Sequence, residues 1–215
     1  MSSKRWMVRG LAALGLWAAA AASQAQIVVG QVAPFSGPQA VTGRAIHAGA
    51  KLYIDAVNAR GGVKGQRIRF VTRDDAQKAE DTVRLVKAMI AEDAPVALLG
   101  TVGTTNLEAL AKDGVLVRSR TAMVGGVSGA ASVAQAQGIH VVKASYHDEI
   151  GRLFRQLSQV GVSRVGLVYQ DDGLGQDVLT GAQAAARTHG ITLVAQASYP
   201  RNTTDVGAAV QQLVK

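Results

Sequence analysis

Three short loops hold the residue types in this chain that could do chemistry. They are Pro34-Phe35-Ser36-Gly37-Pro38, Thr101-Val102-Gly103-Thr104-Thr105-Asn106 and Gly126-Val127-Ser128-Gly129-Ala130. The second runs into a helix-like segment. The unpaired amides of a first helical turn, with the hydroxyls of Thr104 and Thr105 beside them, make a site for a carboxylate. In the third loop Ser128 supplies a hydroxyl, while Gly129 and Ala130 let a ligand come close to the backbone. Phe35 and Ser36 offer an aromatic face and a hydroxyl, and Tyr146 is a candidate second wall for the apolar part of a ligand. A Thr or Ser in such a place is also an ordinary helix N-cap, and that role alone suits Thr104 or Ser132. Asp171 and Asp172 are weaker candidates, because turns commonly carry such residues.

Catalytic readings fare less well. Gly126-Val127-Ser128-Gly129-Ala130 approaches the G-x-S-x-G nucleophile elbow, but Ala130 replaces the last glycine and no H-G-G-G segment supplies an oxyanion hole. An exported hydrolase is therefore the lesser alternative. Gly173-Leu174-Gly175 imitates a dinucleotide fingerprint without its third glycine. His47, His140, His147 and His189 lack metal-ligand spacing, and His47 and His189 read as surface residues. The expectation is a non-enzyme with no metal and no cofactor.

These loops need strands to hold them. Apolar runs predict strands over 27–32, 68–73, 96–100, 122–125, 165–170 and 192–198. Amphipathic segments predict helices over 42–60, 76–91, 107–117, 148–161, 175–189 and 205–214. In the first helix Ile46, Ala50, Tyr53, Ile54 and Val57 form the expected buried stripe. In the second, Ala79, Thr82, Leu85 and Met89 share one face, with Glu80, Arg84 and Lys87 facing water. Strands separated by single helices demand an α/β fold with mainly parallel sheets. A single continuous doubly wound domain is the simpler alternative to two lobes.

Residues 1–25 read as an address. Lys4, Arg5 and Arg9 precede a short apolar run over 10–22, and Ser23-Gln24-Ala25 supplies small residues for cleavage after Ala25. The run is too short to span a bilayer core, which takes about 20 residues. The formal charge is +8, and three of the positives fall in this leader. The remaining Lys and Arg are scattered without aromatic interleaving, which argues against nucleic acid as a partner. There is no Cys, so disulfides and thiolate metal sites are excluded and an exported chain must rely on its apolar core.

The stretch Ile27-Val28-Val29-Gly30-Gln31-Val32-Ala33-Pro34-Phe35-Ser36-Gly37-Pro38, followed by a helix, Gly61-Gly62 and Arg67-Ile68-Arg69-Phe70-Val71-Thr72-Arg73-Asp74-Asp75, resembles a known pattern. It is similar to the start of mature periplasmic leucine/isoleucine/valine-type substrate-binding proteins of ABC importers. The resemblance continues through the Thr104 and Ser128 loops, a hinge-like segment at 139–145 and the Gln170-Asp171-Asp172-Gly173-Leu174-Gly175 loop. It implies two Rossmann-like lobes of the type I periplasmic-binding-protein fold, with a first lobe over 26–140 and a partial second lobe over 141–215. It implies a periplasmic receptor, monomeric when full length, that clamps a small amino acid-like or carboxylate ligand and hands it to an inner-membrane ABC permease. A ligand-sensing receptor or regulator on the same fold is the alternative. The implied ligand-binding residues are Phe35, Ser36, Thr104, Thr105, Ser128, Gly129, Ala130 and Tyr146. Val117-Arg118-Ser119-Arg120 departs from the family pattern. The chain also ends inside a helix, so the expectation is an incomplete second lobe whose last helix has no strand to pack on.

Overall fold

The alternation of short apolar runs with amphipathic segments folds, in the computed structural model, into two parallel sheets with helices packed against them; residues 26–214 are described. The expected leader lies outside them. The first sheet is built from β1 (Ile27–Ala33), β2 (Ile68–Asp74), β3 (Ala97–Leu99), β4 (Ala122–Gly126) and β5 (Ile139–Val141), in the order β2-β1-β3-β4-β5. Its connections carry α1 (Ala40–Ala59), α2 (Ala79–Asp93), α3 (Thr104–Asp113), α4 (Val115–Ser119) and α5 (Ala131–Ala134). The second sheet pairs β6 (Arg164–Asp171) with β7 (Thr192–Pro200), accompanied by α6 (Tyr146–Gln159), α7 (Gly173–His189) and α8 (Gly207–Leu213). Every strand pairing within the sheets is parallel. The loops that leave the strand C-termini therefore collect along one edge of each sheet.

The first core gathers Val32, Val86, Met89, Leu98, Leu107 and Met123, all buried. Each such side chain contributes about 1.5–3 kcal/mol by leaving water. A close approach makes this packing possible. A Cβ at Gly30 would fall 2.3 Å from Met89 Sδ and 2.7 Å from a Leu98 methyl, so α2 rests directly on the β1 backbone. The second core is smaller, with Phe154, Ala182, Ala185, Ala186 and Ile191 fully buried. Leu174 and Val178 of α7 pack against the first core, and α7 thus ties the two sheets together.

Several expectations need correction. Tyr53 is 69% exposed and only Ile54 of the α1 stripe is fully buried, while Ile46, Ala50 and Val57 are half-buried. The helix contact concentrates instead at Ala40 and Gly43, where an added Cβ at Gly43 would lie 2.0 Å from the Pro34 carbonyl oxygen. The single helix expected over 107–117 is two, because Gly114 takes a left-handed conformation (φ +73°) that stops α3 and restarts the chain as α4. Residues 139–141, expected as part of a hinge, pair with β4 as the fifth strand of the first sheet. The last helix does have a sheet to pack on: Leu213 of α8 reaches to 3.0 Å from the Cβ position of Gly166 in β6, and Ala209 is buried. His47 is half-buried, stacked on Phe70 at 5.0 Å and met edge-on by Phe35 at 5.7 Å.

Candidate functional site

The strand-end loops of the two sheets face each other across a cleft of about 280 Å³. Gln39, Gln77, Gly103 and Thr104 come from the first sheet's side. Val168, Tyr169, Gln170, Asp172, Leu174, Val178, Tyr199, Arg201 and Asn202 come from the second. Gln39 and Gly103 lie beyond the ends of β1 and β3, which are neighbours in the sheet, but the chain leaves β1 toward β2 on one side and β3 toward β4 on the other. Open parallel sheets bind ligands in the crevice at such a divergence.

Backbone pairing continues past β3 and β4 and fixes the two hydroxyl loops. Val127 N–H donates to the Thr101 carbonyl at 2.9 Å, and Gly103 N–H donates to the Val127 carbonyl at 3.2 Å. Gly103 adopts φ +107°, open to glycine, and turns the chain into α3 without a side-chain cap. Thr104 is the first residue of α3 rather than its cap. Its hydroxyl lies 2.9 Å from Ser128 Oγ, and Ser128 Oγ also accepts from Ala130 N–H at 3.1 Å. The two hydroxyl loops therefore meet, but Thr104 lines the cleft while Ser128 stands fully buried behind it. Ser132 is not a cap either, since its hydroxyl donates to Glu108 at 2.6 Å.

The other expected residues stand further back. The amides of Phe35 and Ser36 donate to Asp74 Oδ1 at 2.9 and 3.2 Å, so they are already spent. Thr105 Oγ1 is buried without a partner. Gly129 lies against Ala144 and Tyr146, with room for no Cβ, and its carbonyl accepts from Tyr146 N–H at 2.9 Å. Ala130 and Tyr146 belong to the first core, and Lys143 Nζ lies 4.7 Å above the Tyr146 ring. Asp172, a weaker candidate, does line the cleft and caps α7 by accepting from Gly175 N–H at 3.1 Å. Gln77 and Arg201 carry no motif, yet both line the cleft and meet across it. Their placement after β2 and β7, on the same C-terminal edges as the expected loops, was the available signal.

A buried polar chain underlies this side of the cleft. Asp75 accepts from Gln77 N–H at 2.9 Å and from the Thr82 hydroxyl at 2.7 Å, and Thr82 Oγ1 accepts from Asn106 Nδ2 at 2.7 Å. Burial pushes the Asp75 carboxyl above the ordinary carboxylate value. The Thr82 and Gln77 hydrogen bonds oppose this only in part, and the nearby charges of Asp74 and Asp81 add to it. Asp74 behaves differently. Burial raises it too, but the Ser36 side chain and the amides of Ala76, Phe35 and Ser36 outweigh that and hold it low.

A raised folded-state pKa means the fold binds the Asp75 proton more tightly than the unfolded chain does. Its contribution to stability is full below the unfolded value and is lost as pH rises through the folded one. Asp75→Asn should therefore be more stable than the parent at pH 7, and the difference should shrink to nothing below about pH 4. Asp74, Asp93 and Asp113, all held low, act with the opposite sign in both proteins and cancel in the comparison. Urea titrations of the two proteins at pH 4 and pH 7 check this; a pH-independent difference would remove the assignment.

Among the described residues no group of three or more His, Asp or Glu could hold a metal ion, and no helix is long and apolar enough to cross a membrane. The hydrogen-bond partners of the Ser128 hydroxyl are Thr104 and Ala130, not a histidine.

The family model for periplasmic binding proteins matches residues 26–215. A substrate-binding periplasmic protein from Ralstonia solanacearum is 48% identical, with a TM-score of 0.84 over 88% of this chain and 54% of that one. The Leu/Ile/Val-binding protein homolog 7 of Brucella suis is 24% identical over 94% of this chain and 53% of its own length. A solute-binding protein of an ABC transporter from Rhodopseudomonas palustris BisB5, solved in complex with 3,4-dihydroxybenzoic acid, shares the fold at 22% identity, with a TM-score of 0.77 over 86% of this chain and 50% of that one. The chain spans about half the length of the relatives it matches. With two parallel sheets facing each other across their strand-end loops, the chain belongs to the periplasmic binding protein family and has its type I fold.

Proposed function

We propose that this chain supplies the first lobe, residues 26–140, and part of the second, residues 141–215, of an exported solute receptor. It binds a small amino acid-like or aromatic carboxylate and delivers it from the periplasm to an inner-membrane ABC permease. The observation that supports this reading is the cleft itself. It lies between the C-terminal strand edges of two sheets, with the uncapped α3 amino terminus and Thr104 on one wall. Helix N-termini favour anions through their free amides and dipole. In this reading Thr104 meets the ligand and Ser128 orients Thr104. Thr105, Gly129 and Ala130 shape the loops behind them, and Phe35, Ser36 and Tyr146 support the walls. Closure comes from the ligand's better fit to the approached lobes, and the leader is removed after Ala25.

Calorimetry of the purified chain tests the reading. The panel comprises leucine, valine, benzoate and 3,4-dihydroxybenzoate, with neutral and cationic solutes of similar size. Binding of a panel member should also raise the unfolding free energy, by about 2.7 kcal/mol at a hundredfold excess over Kd. A panel in which nothing binds and nothing stabilises would sink the proposal.

A further inference from the structure

Arg201 follows β7 and reaches across the cleft to the first sheet. Its Nη2 donates to Asn106 Oδ1 at 2.6 Å and to the Gln77 carbonyl at 3.2 Å. Both acceptors are neutral, and a guanidinium stays charged at any working pH. Asp172 forms an ion pair with it, Oδ2 lying 3.6 Å from Arg201 Nε, which offsets part of the charge without a hydrogen bond. Asp172 is otherwise occupied, accepting from Gly175 N–H at 3.1 Å and from Gln170 Nε2 at 2.5 Å. Among the described residues, Nη1 of Arg201 donates to nothing. The side chain is only 19% exposed and lines the cleft.

The support beneath this cation is rigid. Asn106, Thr82 and Asp75 are fully buried. Because Thr82 Oγ1 takes the Asn106 N–H and gives its own proton to Asp75, the Asn106 amide has one orientation, with its oxygen toward Arg201. A second polar group is left without a partner. Gln77 is 7% exposed and lines the same cleft, and its Oε1 is a buried acceptor with no donor. Such groups rarely stay unpaired. Val168, Leu174 and Val178 add apolar surface among the polar groups that line the second sheet's side. The cleft lies at the low end of the volumes that hold small molecules.

We infer that Arg201 is the anchor for the ligand's carboxylate, and that the ligand is a small organic acid carrying a second O–H or N–H donor for Gln77. This rests on the cleft being the solute site. Arg201 is then a specificity residue: it selects acids over isosteric neutral molecules, and the Asp75–Thr82–Asn106 chain positions it.

The test pairs each acid with its amide, 4-hydroxybenzoate with 4-hydroxybenzamide and benzoate with benzamide, in calorimetry on the whole chain. The wild type should prefer the acid by at least about tenfold, as expected for a charge-assisted hydrogen bond. Arg201→Gln should bring that ratio to about one. A guanidinium that only latched the lobes together would weaken acid and amide alike and leave the ratio unchanged, which overturns the inference. Should Arg201→Gln fail to fold, the wild-type Arg201 side-chain ¹⁵N resonance decides. A saturable shift with 4-hydroxybenzoate and none with the amide supports the anchor, and no shift removes it. Equal binding of acid and amide by the wild type also defeats the anchor while leaving the solute-receptor reading intact. Absence of binding by every acidic, neutral and cationic solute defeats both.

Discussion

Phe154→Ala should cost about 3–5 kcal/mol, and the loss should fall on one sheet. Phe154 is 2% exposed and is the largest buried side chain of the second core, where its neighbours Ala182, Ala185 and Ala186 are small and only Ile191 is also bulky. The alanines let α7 come close to α6, and the ring fills what remains. Once the ring is gone they have nothing to extend into the space, so the cavity stays open. Ile150 and Leu157 share its face of α6, and Val165, Leu167 and Leu193 meet it from the sheet, all only partly buried. A domain's whole stability is about 5–15 kcal/mol, so the second core would lose a large part of its margin. The first core, with Met89, Leu98, Leu107, Leu110 and Met123 all buried, keeps its own. Hydrogen exchange should show β6, β7, α6 and α7 losing protection while β1–β4 hold. An even loss across both sheets would show that they unfold as one unit, and no loss would deny Phe154 its role.

Which parts of this molecule are legible in its sequence follows from how local their causes are. The strands beginning at Ile27, Ile68 and Ala122 were expected within a residue or two, because a short apolar run between polar segments has few other uses. The α6 face of Ile150, Phe154 and Leu157 shows in the helical spacing. The loops of Thr104 and Ser128 were both read as strand-end loops, which parallel strands bring to one edge; that the two hydroxyls meet there is visible only in the structure. Tyr53 failed because helical periodicity gives a face without saying how deeply the sheet covers it. Covering the α1 face depends on where Pro34 crosses Gly43, a contact between separate elements. Gly114 fell inside the helix expected over 107–117, and its positive φ shows the helix ending there. Arg201 and Gln77 are the instructive miss. They lie 124 residues apart, neither belongs to a loop singled out in the sequence, and Gln77 has a left-handed backbone (φ +61°) in a segment that read as the start of a helix. The edge rule that found Thr104 extends to the residues just after β2 and β7, and applying it to every strand would have reached both.

Gly175→Ala should be the most damaging single-methyl change at the cleft. Gly175 is in the first turn of α7, where the chain doubles back on the end of β6. A Cβ there would fall 1.7 Å from the Gln170 carbonyl oxygen and 2.7 Å from its carbon. The obstacle is backbone, so no rotamer change relieves it. Either β6 gives way at Gln170 or the first turn of α7 lifts off. Overpacking costs about 1–3 kcal/mol and occasionally more, and a contact this short against a carbonyl belongs at the upper end. For a chain of this size, about 3 kcal/mol corresponds to a fall in Tm of roughly 6–12 °C. The displaced turn carries Asp172, whose carboxylate both caps α7 through Gly175 N–H and lies beside Arg201. Ligand affinity should therefore fall along with stability. Gly151→Ala supplies the control: it lies in α6, with nothing within 4 Å of the added Cβ. Alanine is the better helix former by about 1 kcal/mol, so this variant should be more stable than the parent. The two glycines have similar neighbours in the sequence but opposite expected signs, and urea denaturation of both variants reads them directly. If Gly175→Ala matched the parent in midpoint and affinity, the β6–α7 turn would not be closed as tightly as the 1.7 Å approach requires.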